Sequence, residues 1–222
     1  MRRQQAGFTL IELLVAIGVM ALMATLSWRS LDGMSRTQNQ VQAHSDAVLT
    51  VQAAMDQWRF DLDALVELAQ TKSLDWDGRA LRLTRGSSSA PGDGALVVAW
   101  SVRNVAGTPQ WLRWQSTPVR TRGEWQNAWD KAAQWAQNPG DDDKKYEVPL
   151  MPVTGWQIFY FRNDAWSNPL SSDGASAAAS GTATDGLAPD GLRLMLTLPD
   201  NAVLPGVLTR DWVRPSLSGA KS

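Results

Sequence analysis

Apolar and polar positions change their period along the chain. From Phe8 to Trp28 the run is almost wholly apolar, and Glu12 is its one ionisable side chain. As a helix rising about 1.5 Å per residue it is roughly 30 Å long, which matches the hydrocarbon core of a bilayer. Residues 8–28 are therefore expected to cross a membrane once. Ahead of them stands Met1-Arg2-Arg3-Gln4-Gln5-Ala6, and this basic flank places the amino end in the cytoplasm and the rest of the chain outside. Ala21 and Ala24 lie inside the apolar block, so neither provides the polar break that follows a signal-peptide cleavage site.

Beyond the span the period becomes helical. Val41, Val48, Met55, Leu62 and Ala69 recur every seven residues, with His44, Val51, Trp58 and Leu65 three places after the first four. The intervening Gln38, Gln42, Asp46, Gln52, Asp56 and Arg59 are polar, so one helix face is buried and the other wetted. A stalk helix over residues 29–72 continues the span; unbroken from Phe8 to about Gln70 it measures roughly 95 Å, with Asp32-Gly33 as a place for a bend. The seam serves either a dimeric coiled coil or packing on a sheet of the same chain. It is short and has His44 at a core place, which favours packing through Val48, Val51, Met55, Trp58, Leu62 and Leu65.

The remainder alternates as strands do. Ala80–Arg85, Ala95–Val102 and Trp111–Gln115 are rich in strand formers, and the last two form a hairpin across Asn104–Pro109. Gly123–Gln137 reads as a short amphipathic helix with Trp125, Trp129, Ala132 and Ala136 on one face, ended by Asn138-Pro139-Gly140. Thr154–Arg162, Leu192–Leu198 and Val207–Val213 are further strands. The sheet is thus expected mostly late in a β-rich head, residues 73–214, with a small, polar, mobile loop at 167–190 and a fraying tail at 215–222.

Composition narrows the chemistry. With 21 basic and 22 acidic residues the chain has no electrostatic footprint for nucleic acid. The absence of Cys removes disulfides, thiolate nucleophiles and Cys-based metal sites together. His44, beside Ser45 and Asp46, cannot form a relay with them, because helix neighbours point to different faces. Asp141-Asp142-Asp143 and the pair Asp75 and Asp77 offer oxygen ligands for calcium but lack the spacing of an EF-hand, so no metal, cofactor or catalytic residue is assigned. Twelve Trp suit either buried packing or a sugar-binding surface, of which packing is the commoner use.

Gly7-Phe8-Thr9-Leu10-Ile11-Glu12 resembles the processing site of type IV pilins and type II secretion pseudopilins. The resemblance implies that a prepilin peptidase cuts after Gly7 on the cytoplasmic face, leaving residues 1–7 as a leader, and methylates the new amino terminus at Phe8. Glu12 then occupies the acidic position whose carboxylate meets the Phe8 amine of a neighbouring subunit and sets assembly register. A carboxylate in a lipid-facing helix costs a few kcal/mol without a partner, which makes such a pairing worthwhile.

Leu31-Asp32-Gly33-Met34, Trp156–Phe161 followed by Trp166, Leu192–Leu198 and Leu208–Trp212 resemble the J-type minor pseudopilin of type II secretion. That likeness implies an α+β, type IV pilin-like fold: a long amino-terminal helix packed on an antiparallel head of two sheets. It also implies an inner-membrane, single-pass subunit with a periplasmic head, at the pseudopilus tip with I- and K-type and possibly H-type partners. Two alternatives remain at this point, a minor pilin of a type IV pilus or competence system and a membrane-anchored periplasmic enzyme or carbohydrate binder.

Overall fold

A computed structural model describes residues 9–87, 92, 94–171 and 188–215. Its first element is helix α1, Leu10–Asp63. The chain divides into two compact units, the first ending at Ala47 and the second beginning at Val48.

In the first unit the helical residues are exposed throughout the apolar run, from Leu10 at 77% to Trp28 at 75%, so none of the described residues covers this surface. α1 is the one element among the described residues long and apolar enough to cross a membrane. It continues through Asp32 and Gly33 without interruption, where Arg36 pairs with Asp32 at 2.9 Å and the Thr37 hydroxyl donates to the Gly33 carbonyl at 3.0 Å. Such i to i+4 contacts offset part of the cost of glycine.

The second unit contains two antiparallel sheets and a short helix. The first sheet is β1 (Leu74–Trp76), β2 (Ala80–Gly86), β3 (Ala95–Val105), β4 (Thr108–Gln115) and β5 (Glu147–Pro152), in that order across the sheet. Helix α2 (Arg122–Gln137) and the single turn α3 (Asp141–Lys144) lie between β4 and β5. The second sheet has the order β7-β6-β8-β9, from β6 (Gly155–Arg162), β7 (Ala165–Ser167), β8 (Gly191–Leu198) and β9 (Gly206–Val213).

Strand alternation gives the first sheet two apolar faces. On one, Leu81, Leu83, Val98, Trp100 and Trp111 join the Ala54, Met55, Trp58 and Leu62 side of α1 and the Ile158, Leu192, Leu194, Leu196 and Trp212 face of the second sheet. On the other, Val97, Ala99, Leu112 and Trp114 meet Trp125, Trp129, Ala132 and Trp135 of α2. Trp58, Trp100 and Trp111 form a ring cluster at centroid distances of 5.1, 5.5 and 4.5 Å. Aromatic pairs of this kind contribute about 0.5–1.5 kcal/mol beyond the area they bury. Trp114, Trp125, Trp129, Trp135 and Trp212 are buried too, so most of the indoles serve as packing.

Three expectations need correction. The stalk helix ends at Asp63 and not near Gln70 or residue 72, because the backbone beyond it is taken by β2: Gly86 N–H donates to Ala64, Val66 N–H donates to Thr84, and Leu65 bridges Arg85. Leu65 is consequently off the helix, although it still packs against the same core. The strands are also not concentrated late, since the five-stranded sheet is complete by Pro152. β5 was concealed by Pro149 and Pro152, residues that a sheet accepts at an edge such as this one.

The hairpin of β3 and β4 turns at Ala106 (φ 50°) and Gly107 (φ 87°), the two positive φ values that a tight primed turn requires. Within the 167–190 loop, Asn168–Ser171 form a turn and Ala188 packs into the core; residues 172–187, like the tail from 216, lie outside the described residues.

Candidate functional site

The amino-terminal site is built around the first turn of α1. Thr9 precedes the helix, and its hydroxyl and its N–H both donate to Glu12 Oε2, at 2.9 and 3.1 Å. Glu12 N–H donates back to the Thr9 hydroxyl at 3.4 Å. This is a capping box: two amides that a helix leaves without partners at its start are satisfied reciprocally, and the carboxylate lies at the positive end of the helix dipole. The sequence reading assigned Glu12 only to a cation outside the chain and missed Thr9, which the spacing Thr9-Leu10-Ile11-Glu12 could have revealed. Gly7 and Phe8, the expected cleavage and methylation residues, lie outside the described residues.

The seam residues divide by depth. Met55, Trp58 and Leu62 are buried on the head. Val48 and Val51 are partly buried, and Val51 packs on the same core. Val41 and His44 are exposed. Sequence reasoning missed Asp61, which is fully buried on the same stretch of α1. Its carboxylate accepts from Arg113 at 2.7 and 2.9 Å, Arg85 at 2.5 Å, Trp100 Nε1 at 3.1 Å and Gln57 at 3.1 Å. Asp61 stands one place before Leu62 of the seam, and no local signal marks it, because Arg85 and Arg113 are distant along the chain. Trp212 Nε1 likewise donates to Asp63 at 2.8 Å, tying β9 to the end of α1.

The acidic runs are engaged in ion pairs. Asp75 and Asp77 face Arg82 at 2.6 and 3.5 Å. Asp141 pairs with Lys144, Asp142 with Lys145 and Asp143 with Lys131, and the Lys144 ammonium holds the Asp141 carboxyl below its ordinary range. Among the described residues no group of three or more metal-ligating side chains comes together.

A long apolar amino-terminal helix followed by two antiparallel sheets is an α+β, pilin-like architecture. The family model for the prokaryotic N-terminal methylation motif matches residues 2–28, the stretch that contains the basic leader, Gly7-Phe8, the Thr9–Glu12 cap and the apolar run. The match supports a prepilin of the type IV pilin-like class, compatible with a single-pass membrane anchor. No curated protein matches the chain.

Proposed function

We propose that this chain is a structural subunit and not an enzyme: a J-type minor pseudopilin of type II secretion. In this reading it is cleaved and methylated by a prepilin peptidase, anchored in the inner membrane with a periplasmic head, and incorporated at the pseudopilus tip, where it primes assembly for export of folded proteins. Its partners are I- and K-type and possibly H-type pseudopilins; it takes no cofactor and no nucleic acid. The observation that carries the reading is the methylation motif over residues 2–28 ending in a helix whose exposed surface is apolar all along the span, a surface suited to lipid and to neighbouring helices. The burial of most indoles weakens the carbohydrate-surface alternative. The test is production of the full chain in membranes with I- and K-type pseudopilins and, separately, with the minor subunits of a type IV pilus. Co-purification with the first set supports the proposal; selective recovery with the second assigns the chain to a surface pilus.

A further inference from the structure

The two sheets expose four edges, and they differ in what they could accept. β1 and β7 are three residues long, too short to template another strand. β5 carries Pro149 and Pro152, which withhold amide donors and blunt an edge. β9 runs for eight residues, Gly206–Val213, without a proline, and among the described residues is paired on one side only, with β8.

Beside that edge lies an open cleft of about 690 Å³ lined by Trp58, Arg59, Asp63, Arg210, Trp212 and Pro215. Trp58 is 1% exposed, and its indole N–H has no acceptor among the described residues. The charges around the cleft are unevenly satisfied. Asp63 takes Arg59 and Trp212, and Asp211 takes Arg193 at 2.6 Å. Arg210 is exposed and has no carboxylate partner among the described residues.

We infer that β9 is a docking edge for an extended segment of another protein, which adds as a strand and brings a carboxylate to Arg210. Main-chain hydrogen bonds supply affinity in such an addition, and alternate side chains supply specificity. The segment is not β9 of a second copy. Alternation puts Leu208, Arg210 and Trp212 on one face of β9, and a twofold antiparallel pair sets same-face residues opposite each other. A second β9 therefore offers Arg210 only leucine, arginine or tryptophan. The inference deepens the reading of the chain as an assembly subunit and rests on it for the expectation of a protein partner.

The test uses the purified full chain in detergent micelles and two synthetic peptides of alternating threonine and valine, one with a central glutamate and one with a central lysine. Amide hydrogen exchange in β9 is the readout. At a glutamate-peptide concentration ten times its Kd, the outward amides of β9 should slow about tenfold, while β5 amides and the lysine-peptide sample stay unchanged. Arg210→Glu should reverse the preference toward the lysine peptide. Equal protection by both peptides, protection by neither, or protection without peptide that grows with protein concentration would each overturn the inference. Since the readout is independent of leader cleavage and of the secretion or pilus system involved, its failure is distinguishable from failure of the proposed function.

Discussion

Arg113 grips Asp61 through two parallel hydrogen bonds, Nε to Oδ2 at 2.7 Å and Nη2 to Oδ1 at 2.9 Å. It joins α1 to β4 inside the head, and Arg85 of β2, its guanidinium 4.6 Å from the Phe60 ring centre, adds a second cation to the same carboxylate. Removing one charge of a buried set leaves the others uncompensated and costs about 3–5 kcal/mol. Asp61→Asn should therefore lose stability of about that size in chemical denaturation followed by Trp fluorescence. A loss below about 1 kcal/mol would show that the two arginines find other partners.

Gly94 makes a backbone demand that can be tested separately. Its φ is +98°, and a Cβ there would stand 2.3 Å from the Val119 carbonyl oxygen, where the Ala95–Val119 bridge draws the 116–119 segment onto β3. Gly94→Ala should lower the unfolding midpoint clearly, since both strain and overlap oppose it. Gly123→Ala, with nothing within 4 Å of the added carbon, is the control and should be neutral or slightly stabilising. Equal midpoints for the two variants would refute the clash.

Helix α2 begins in a second capping box, with Glu124 accepting from the N–H groups of Arg120 and Thr121 at 2.7 and 3.1 Å. Those donors, Arg120 first and Thr121 next, hold the Glu124 carboxyl below its ordinary 4.5. The folded state thus binds this proton less readily than the unfolded one. The resulting stability is fully present above pH 4.5 and fades as pH falls through the lowered folded value. Glu124→Gln should flatten the acid limb of stability against pH and leave the shape above pH 6 unchanged. An acid limb identical to the parent's assigns it to other carboxylates.

Much of this architecture is legible in the sequence because its signals are local. The span is a composition signal, α2 combines a Thr-x-x-Glu start with a periodic Trp face, and the β3–β4 hairpin has strong strand formers about Ala106-Gly107. What the sequence hides depends on partners distant along the chain. The end of α1 is set by β2 taking the backbone of Ala64 and Val66, and nothing between Asp63 and Gln70 announces it. Asp61 reads as one more polar helix residue until Arg85 and Arg113 are folded around it. At the amino-terminal site, Glu12 stood out by charge, whereas Thr9 went unnoticed because the threonine looked like part of an apolar run.

On the proposed reading, processing depends on Gly7. The peptidase that the motif implies must admit the chain at the scissile bond, and a branched side chain there fills space that glycine leaves open. Gly7→Val should leave residues 1–7 attached, as read by intact-mass spectrometry of the membrane fraction, and should abolish incorporation into assemblies. Recovery of a mature chain beginning at N-methylated Phe8 from the variant would disprove the requirement.

The decisive variants concern Glu12, whose observed cap and proposed assembly charge can be tested separately. Both hydrogen bonds from Thr9 fall on Oε2 and the side chain is exposed, so among the described residues Oε1 is left for a cation from outside the chain. The cap satisfies Glu12 within the single subunit without neutralising it. In lipid an ionised carboxylate still gains from a nearby amine, which the proposed assembly supplies as that of a neighbour's Phe8. Glu12→Gln keeps an acceptor for Thr9, as glutamine serves in a capping box, but removes the charge; Glu12→Ala removes both. If the charge draws the subunit into the assembly, both variants should be processed and inserted normally, and both should lose crosslinking between their stalk helices and those of partner subunits. If Glu12 acts only as a cap, the glutamine variant should crosslink like the parent and the alanine variant alone should fail. Full crosslinking by both variants would remove Glu12 from assembly altogether.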